Sequence, residues 1–545
     1  MSKFPHAGLY LLIALILLPC LLPAADGATY YVSEEGSDSH PGDSPAAAWR
    51  TLERARQSVR PGDTLLLRRG SVFRQSAQFS ADPDGGQLDG LTFDAYGPED
   101  APNPVISGSV AITGWQRHEG EVWVAEAEEP IGHLFANGRL MTIARYPNEG
   151  WIRVIDWEVT DGGDEALIAP ALTEHQPNRD DYWKGANVRW RRWSWVHSVR
   201  PVERYDAQNG RILMEGTNHY SRRDPFWSGF YLDDKLEELD APGEWHRDPG
   251  AGKVYLWPPG SAHPDDLLIE GAVRETGLEV NDSAVRNITF QHQLGNALTI
   301  TGATEVRNCR FEGTAGSGIF APWSVGGARV VGNVFADNLN NAITWNENPE
   351  NGASSVIEDN VIRNTGMVPA YEAPKGWYAV GISVYNARDL HIRHNTIDGT
   401  GYSGMFIGSP GNSVEYNTIR RAMWTLNDGA GIYTNCDRNV IRRNIITDVR
   451  GNRESSHRIP MPDAAERTFE NSWPWANLGH GIWLEFLGDF RGSVVEGNTC
   501  ARNGAYGLFL PNNFETVVRG NVLYGNRRGQ LQLSGRSTYE RTGRR

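Results

Sequence analysis

Between residues 286 and 534 the hydrophobic and polar positions repeat a short phrase: branched apolar, two residues, Asn, one residue, apolar. It reads Val330–Asn333–Phe335, Ile357–Asn360–Ile362, Ile392–Asn395–Ile397 and Val414–Asn417–Ile419, then Ile441–Asn444–Ile446, Val495–Asn498–Cys500 and Val518–Asn521–Leu523. Successive Asn residues are 27, 35, 22, 27, 54 and 23 residues apart. Val285–Ile288–Phe290 and Val306–Cys309–Phe311 keep the spacing without the Asn. A period in the low twenties with insertions is the mark of a solenoid.

A second phrase, Gly-Ile-x-apolar, alternates with the first: Gly318-Ile319, Gly381-Ile382, Gly404-Met405, Gly431-Ile432, Gly481-Ile482 and Gly507-Leu508. Each turn therefore holds at least two short segments of period 2, which place the branched residues on one face. No helical pattern or Leu-based consensus accompanies them, so a leucine-rich repeat is set aside. The fold expected is all-β, a right-handed parallel β-helix with coils about 4.8 Å apart. The Asn is expected at a bend, tolerating left-handed backbone and bonding to its equivalents along the stack.

The rest of the chain divides around this ladder. Residues 28–112 open with the strand Thr29–Val32 and a short helix, Leu52 to Val59, capped by Thr51. That helix is expected to cover the open end of the β-helix, and strand-like pieces to Ser107 supply the first coils. Residues 113–265 break the period and carry 11 of the 19 Trp, with a hairpin signal at Ala136-Asn137-Gly138-Arg139. They are read as an inserted β-rich domain whose Trp residues mostly form its core, an exposed member of Trp190, Trp193 and Trp195 being able to reach a ligand. The main β-helix spans 266–534. Its long steps place loops near 364–379 and 450–479, the second holding His457, Arg458, Trp473 and Trp475. A polar tail, 535–545, follows.

Net charge is −15, which argues against nucleic acid or an anionic membrane surface as partner. Residues 1–27 read as a secretory signal: Lys3 and His6, an apolar run from Ala7 to Leu18 too short to span a bilayer well, and a small-x-small site at Ala25-Asp26-Gly27. The mature protein is thus expected to be secreted or periplasmic, without an integral membrane segment. Cys309, Cys436 and Cys500 then remain, and Cys309 and Cys500 occupy distant rungs, so they are expected as buried free thiols with no metal site.

Several stretches resemble known proteins. Tyr30-Tyr31-Val32-Ser33, Gly36-Ser37-Asp38, Trp49-Arg50-Thr51-Leu52 and Pro61-Gly62-Asp63-Thr64 resemble the N-terminal signature of secreted pectin-lyase-like β-helix proteins. Ala144-Arg145-Tyr146-Pro147-Asn148 and Gly243-Glu244-Trp245-His246-Arg247-Asp248 resemble the inserted domain of a branch containing glycoside hydrolases of xylan-type or fucosylated polysaccharides. Asp428-Gly429-Ala430-Gly431-Ile432-Tyr433-Thr434 and Gly481-Ile482-Trp483-Leu484-Glu485 are similar to its groove strands, the second ending in Glu where that branch commonly has Asp. The resemblance implies a polysaccharide- or oligosaccharide-active enzyme; the superfamily also holds lyases, epimerases and binding proteins.

If the Ile of each Gly-Ile phrase points inward, the next residue points out. That gives one outward column, Phe320, Thr344, Ser383, Phe406, Tyr433, Trp483, Phe509 and Gln532, and a second two residues on: Pro322, Asn346, Tyr385, Gly408, Asn435, Glu485, Pro511 and Ser534. Aromatic rings in the first suit sugar stacking, or packing by the inserted domain. Glu485 is the single carboxylate of the second. Glycoside hydrolysis needs one protonated and one ionised carboxyl, and the pair expected is Glu485 with Asp428, Asp437 standing in reserve. Tyr433, Asn435, His480, Trp483, Phe406 and Tyr385 are the expected substrate contacts; no cofactor is required. A lyase is the alternative, with Lys375 and Tyr378 or His457 and Arg458 recruited from the loops and calcium possible. A non-catalytic sugar-binding solenoid is the third reading.

Overall fold

The structure is a computed structural model that describes residues 27–81, 85–216, 229–350, 353–371, 378–452, 479–485, 490–511 and 513–534. The leader, Lys375, His457, Arg458, Trp473, Trp475 and the tail lie outside the described residues.

Three parallel sheets wind through the chain. One has twelve strands, from Thr29–Val32 to Val517–Arg519; the others have eleven each, from Val72–Phe73 to Val522–Tyr524 and from Ala77–Phe79 to Gly529–Ser534. Short strands separated by bends are what the period-2 segments require, and every coil adds one strand to each sheet. The single α-helix among the described residues, Leu52–Ser58, is capped as expected, with Thr51 Oγ1 accepting from Arg54 N at 3.0 Å. Its Leu52 and Ala55, with Val59, are buried against the first coils.

The Asn phrase proves to be an amide ladder. Asn333, Asn360, Asn395, Asn417, Asn444, Asn498 and Asn521 are linked in order, each side-chain amide donating at 2.9–3.0 Å to the Oδ1 of the next. The same Oδ1 also accepts the backbone N–H of the residue below, and each inner Nδ2 bonds a core-strand carbonyl such as Val414 O. The expected left-handed geometry falls one residue earlier. Gly332, Asp359, His394, Tyr416, Arg443, Gly497 and Gly520 carry the positive φ, and the Asn does not. The turn is made by the preceding residue, which leaves the amide free to point inward. The ladder stops at Cys309, whose backbone N–H still donates to Asn333 Oδ1 at 2.9 Å. Below it the core is carried by stacked rings: Phe290, Phe311 and Phe335 lie 5.1 and 4.7 Å apart, nearly parallel.

The Gly of the second phrase has a different cause. At Gly381, Gly404, Gly431 and Gly481 a Cβ would lie 2.4–3.0 Å from the carbonyl oxygen of the glycine in the next coil. Only residues without side chains let the coils approach there.

The solenoid is interrupted between Ser107 and Leu278. Ser109–Ala111 pairs antiparallel with Ile269–Ala272, so the inserted sheets run a few residues beyond 113–265 at each end. Four sheets fill the insertion, all antiparallel but for Thr142–Ile143 beside Glu244–Asp248. Asn137 and Gly138 both take positive φ in the hairpin turn that joins Ala136 to Arg139. Trp183 and Trp190 lie in the core of the insertion and Trp245 in a second cluster. The expectation of an exposed Trp is corrected in two of the three: Trp190 is buried, and Trp195 is half-buried against the solenoid core. The side chain of Trp193 lies outside the described residues.

Cys309 and Cys500 are buried and Cys436 half-buried, all free. Among the described residues no helix is long and apolar enough to cross a membrane, and no group of three or more His, Cys, Asp or Glu is arranged to hold a metal.

Candidate functional site

The register places the first outward column as expected. Phe320, Thr344, Ser383, Phe406, Tyr433, Trp483, Phe509 and Gln532 pair one to the next across the third sheet. Its rings make a continuous aromatic run: Phe406 to Tyr433 is 5.7 Å, Tyr433 to Trp483 is 4.8 Å and nearly parallel, and Trp483 to Phe509 is 5.3 Å. This run does not face open solvent. Phe406, Tyr433 and Trp483 are all buried although they point away from the coil interior. An apolar stripe on a solenoid is stable only when covered, and described parts of the cover are Trp195, Tyr378 and Tyr402, which join the same cluster.

The cover is tied down by backbone contacts. Asn427 N donates to Ser194 O at 2.7 Å, His197 N to the Tyr378 hydroxyl at 2.8 Å, and that hydroxyl to Trp195 O at 3.2 Å. The tip of the inserted hairpin, Asn187–Trp193 with Val196–Pro201, thus seats beside Asp428. Tyr378, a residue of the lyase alternative, bonds the inserted hairpin through its hydroxyl.

At one rung the second column departs from the expected register. A bulge between Trp345 and Asn346 makes Asn386, and not Tyr385, the partner of Asn346, and the two amides bond at 2.7 Å. Tyr385 is displaced accordingly, its ring 6.3 Å from Phe406. Asn435 and Glu485 are neighbours as expected: Glu485 N donates to Thr434 O at 2.9 Å. Glu485 is half-buried at the end of its strand, and the Tyr433 hydroxyl donates to its carboxylate. Burial raises the Glu485 carboxyl above its ordinary value, and the Tyr433 hydrogen bond pulls it partly back.

Asp428 is buried at the start of the strand one coil away and holds positive φ. Its carbonyl accepts from the Tyr402 hydroxyl at 2.7 Å. Burial first, and then the fields of Asp428 and Glu485 together, raise the Tyr402 phenol; burial, Tyr402, Glu485 and Asp428 raise that of Tyr433. The charges of Asp428 and Glu485 both act on this pair of phenols. Tyr402 was not singled out from sequence; its position two residues before a motif Gly, one coil from Asp428, was the available signal. Asp437 is not part of this group. It stands beyond the strand end, 3.6 Å from Arg438 of its own turn.

His480 belongs to the aromatic run. Its ring lies 4.6 Å from Phe509, nearly parallel, and Nδ1 accepts from Tyr506 N at 3.3 Å, which leaves the proton on Nε2. Burial depresses its pKa to about 3, so the ring is neutral. Nε2 of His480, Nε1 of Trp483 and Oγ of Ser383 are buried polar atoms with no hydrogen-bond partner. Such atoms are uncommon in folded proteins.

Residues 380–543 match the family model of the right-handed β-helix region. Over 140 residues the chain is 29% identical to a lacto-N-biosidase of Bifidobacterium longum subsp. longum, a match covering 25% of this chain and 8% of that protein. A solved structure described as a glycoside hydrolase superposes with a TM-score of 0.66 at 16% identity, covering 91% of this chain and 96% of that one. A lacto-N-biosidase from Eubacterium ramulus gives a TM-score of 0.38 at 13% identity, over 93% of this chain and 68% of that one. The chain is a right-handed parallel β-helix protein, with three parallel sheets and an inserted β domain.

Proposed function

We propose that this chain is a glycoside hydrolase that acts outside the cytoplasm on an oligosaccharide or polysaccharide. What supports the reading is one observation: at the edge of a covered aromatic run Glu485 accepts from the Tyr433 hydroxyl, and the backbone of Asp428, in the adjoining coil, accepts from the Tyr402 hydroxyl. A sugar meets this site at its half-buried edge, formed by Asn435, Glu485, Tyr385 and Phe509, while Tyr433, Trp483, Phe406, His480 and Ser383 are buried and shape that edge from behind. Glu485, the carboxyl whose pKa burial raises, is the donor of a proton to the leaving oxygen. Asp428 is the ionised partner, as nucleophile or as the base that activates water. The hydrolases among similar proteins are compatible with this reading. No cofactor enters the scheme.

The test is the product. Incubation with xylan-type, fucosylated and lacto-N-biose-terminated oligosaccharides is expected to release new reducing ends without the ultraviolet absorbance of an unsaturated uronate. Appearance of that chromophore instead would establish β-elimination, the lyase chemistry. Neither product from any glycan that binds would leave the sugar-binding solenoid.

The hydrogen bond from Tyr433 gives a pH test. Its donation favours the ionised Glu485, so Tyr433→Phe is expected to raise the Glu485 pKa further. Activity that needs the protonated acid is lost as pH rises through that pKa. The alkaline limb of the kcat/KM profile should therefore move to higher pH in the variant. A limb that stays in place, or moves down, would remove Glu485 from the proton-donor role.

A further inference from the structure

The inserted domain presents a row of basic groups toward the solenoid. In its five-stranded sheet built on Asn187–Trp193 and Gly229–Asp233, Arg153 pairs with Gly229, Gly229 with Arg191, and Arg191 with His197. Directly opposed residues of antiparallel strands share a face, so Arg153, Arg191 and His197 project from the same side. Their alternates, Ile152, Val188, Trp190 and Phe230, fill the core of the insertion. The basic side faces the solenoid: Arg189, two residues before Arg191, donates to Ala370 O and lies over the Tyr371 ring, and the Tyr231 hydroxyl donates to Pro369 O at 2.7 Å.

Three other arginines of this sheet are paired with carboxylates. Arg189 is paired with Asp233, and Arg192 and Arg200 both hold Glu165 at 2.7 and 2.9 Å. Arg191 is different. It is fully buried, and none of its three guanidinium nitrogens has a hydrogen-bond partner among the described residues. Burial alone lowers its pKa to about 10, with no carboxylate acting on it. A buried cation without an anion is strongly unfavourable. At the centre of the row Gly229 has no side chain, and Trp151 packs against it, its ring nearly parallel to His197 at 5.8 Å. Across two strand spacings the Arg153 and Arg191 backbones stand about 10 Å apart. Arg191 is also only three residues from Ser194, whose carbonyl binds the neighbour of Asp428, a separation of about 10 Å along a strand.

We propose that Arg191, flanked by Arg153 and His197, is an anion subsite that selects a sugar bearing an acidic substituent, a uronate carboxylate or a sulfate ester. This rests on the hydrolase reading only for its location near the proposed site. A planar guanidinium accepts either oxyanion in bidentate fashion. The chain as a whole is strongly acidic, so a local basic row is what would hold an anionic ligand there.

The experiment measures binding apart from turnover. Glucuronate, inorganic sulfate and neutral glucose are titrated against the full chain and against Arg191→Met, following the thermal midpoint and the dissociation constant. Glucuronate or sulfate should bind the native chain, and the affinity should fall about 30-fold or more in Arg191→Met, as for a lost charge-assisted hydrogen bond. Glucose should respond equally in both. Arg191→Lys, which keeps the charge, guards against a folding defect in the Met variant and should retain part of the anion affinity. Preference for glucuronate assigns a uronate, and preference for sulfate a sulfated sugar. Absence of anion binding in the native chain, or an equal loss for glucose and anions in the variants, overturns the proposal. Anion binding in a chain that releases no reducing ends would sustain the subsite while removing the hydrolase.

Discussion

Glu485→Gln should reduce kcat/KM on a cleavable glycan about 1,000-fold, within the range general acid catalysis supplies. Gln preserves the shape of the side chain and can still accept from the Tyr433 hydroxyl, but it carries no proton to give. The thermal midpoint should change little, because Glu485 sits at a strand end, only half-buried. Asp428→Asn should cost a comparable factor, and the double variant should be little worse than either single one, since groups acting in one step are not additive. The measurement is initial rate of reducing-end release at the optimum pH. A Glu485→Gln enzyme of near-native rate would mean that the proton comes from elsewhere and that the aromatic run serves binding alone. The carboxyl separation in a ligand-bound structure then sets the stereochemistry: about 5–5.5 Å for retention and about 6.5–9.5 Å for inversion.

Asn444→Ala should destabilise the solenoid by about 3–5 kcal/mol. Asn444 Oδ1 accepts both the backbone N–H and the side-chain amide of Asn417, and its Nδ2 bonds Val414 O and Asn498 Oδ1. Ala removes all four, leaving the buried Asn417 N–H and Val414 carbonyl unpaired, at about 1–3 kcal/mol each. Asn444→Asp is no rescue, since it sets an oxygen against the Val414 carbonyl. The effect should be read from the urea midpoint, with hydrogen exchange locating the loss in the coils on either side, because a stacked repeat depends on its nearest neighbours. A change below about 1 kcal/mol would show the ladder to be a consequence of coil stacking and not one of its supports.

The two predictions differ in how visible their residues were. The amide ladder could be read directly, because an Asn recurring one residue from a bend, coil after coil, stacks within bonding reach of its own equivalent. Even so, the backbone conformation was assigned one residue late: Asp359, His394, Tyr416 and Arg443, not the Asn residues, take positive φ. Those side chains share no chemistry, so composition gave no sign of their role. The Gly column was visible as a pattern, but its cause, a carbonyl 2.4–3.0 Å from where a Cβ would stand, needed the stacked coils.

Sequence alone determined the coil, its register, both outward columns save at Tyr385, the capping helix and the neighbourhood of Glu485 and Asn435. All of these follow from alternation and repetition, which act between a residue and its equivalents in adjoining coils. Tertiary structure decided what no repeat encodes: that the aromatic column is buried beneath a cover, that Asp428 meets Tyr402 while Asp437 stands apart, and that Arg191 is buried without an anion. Each depends on where one inserted hairpin lands, through contacts such as Ser194 with Asn427 that join residues more than two hundred positions apart. Such contacts form once in the chain, so they leave no period to be read.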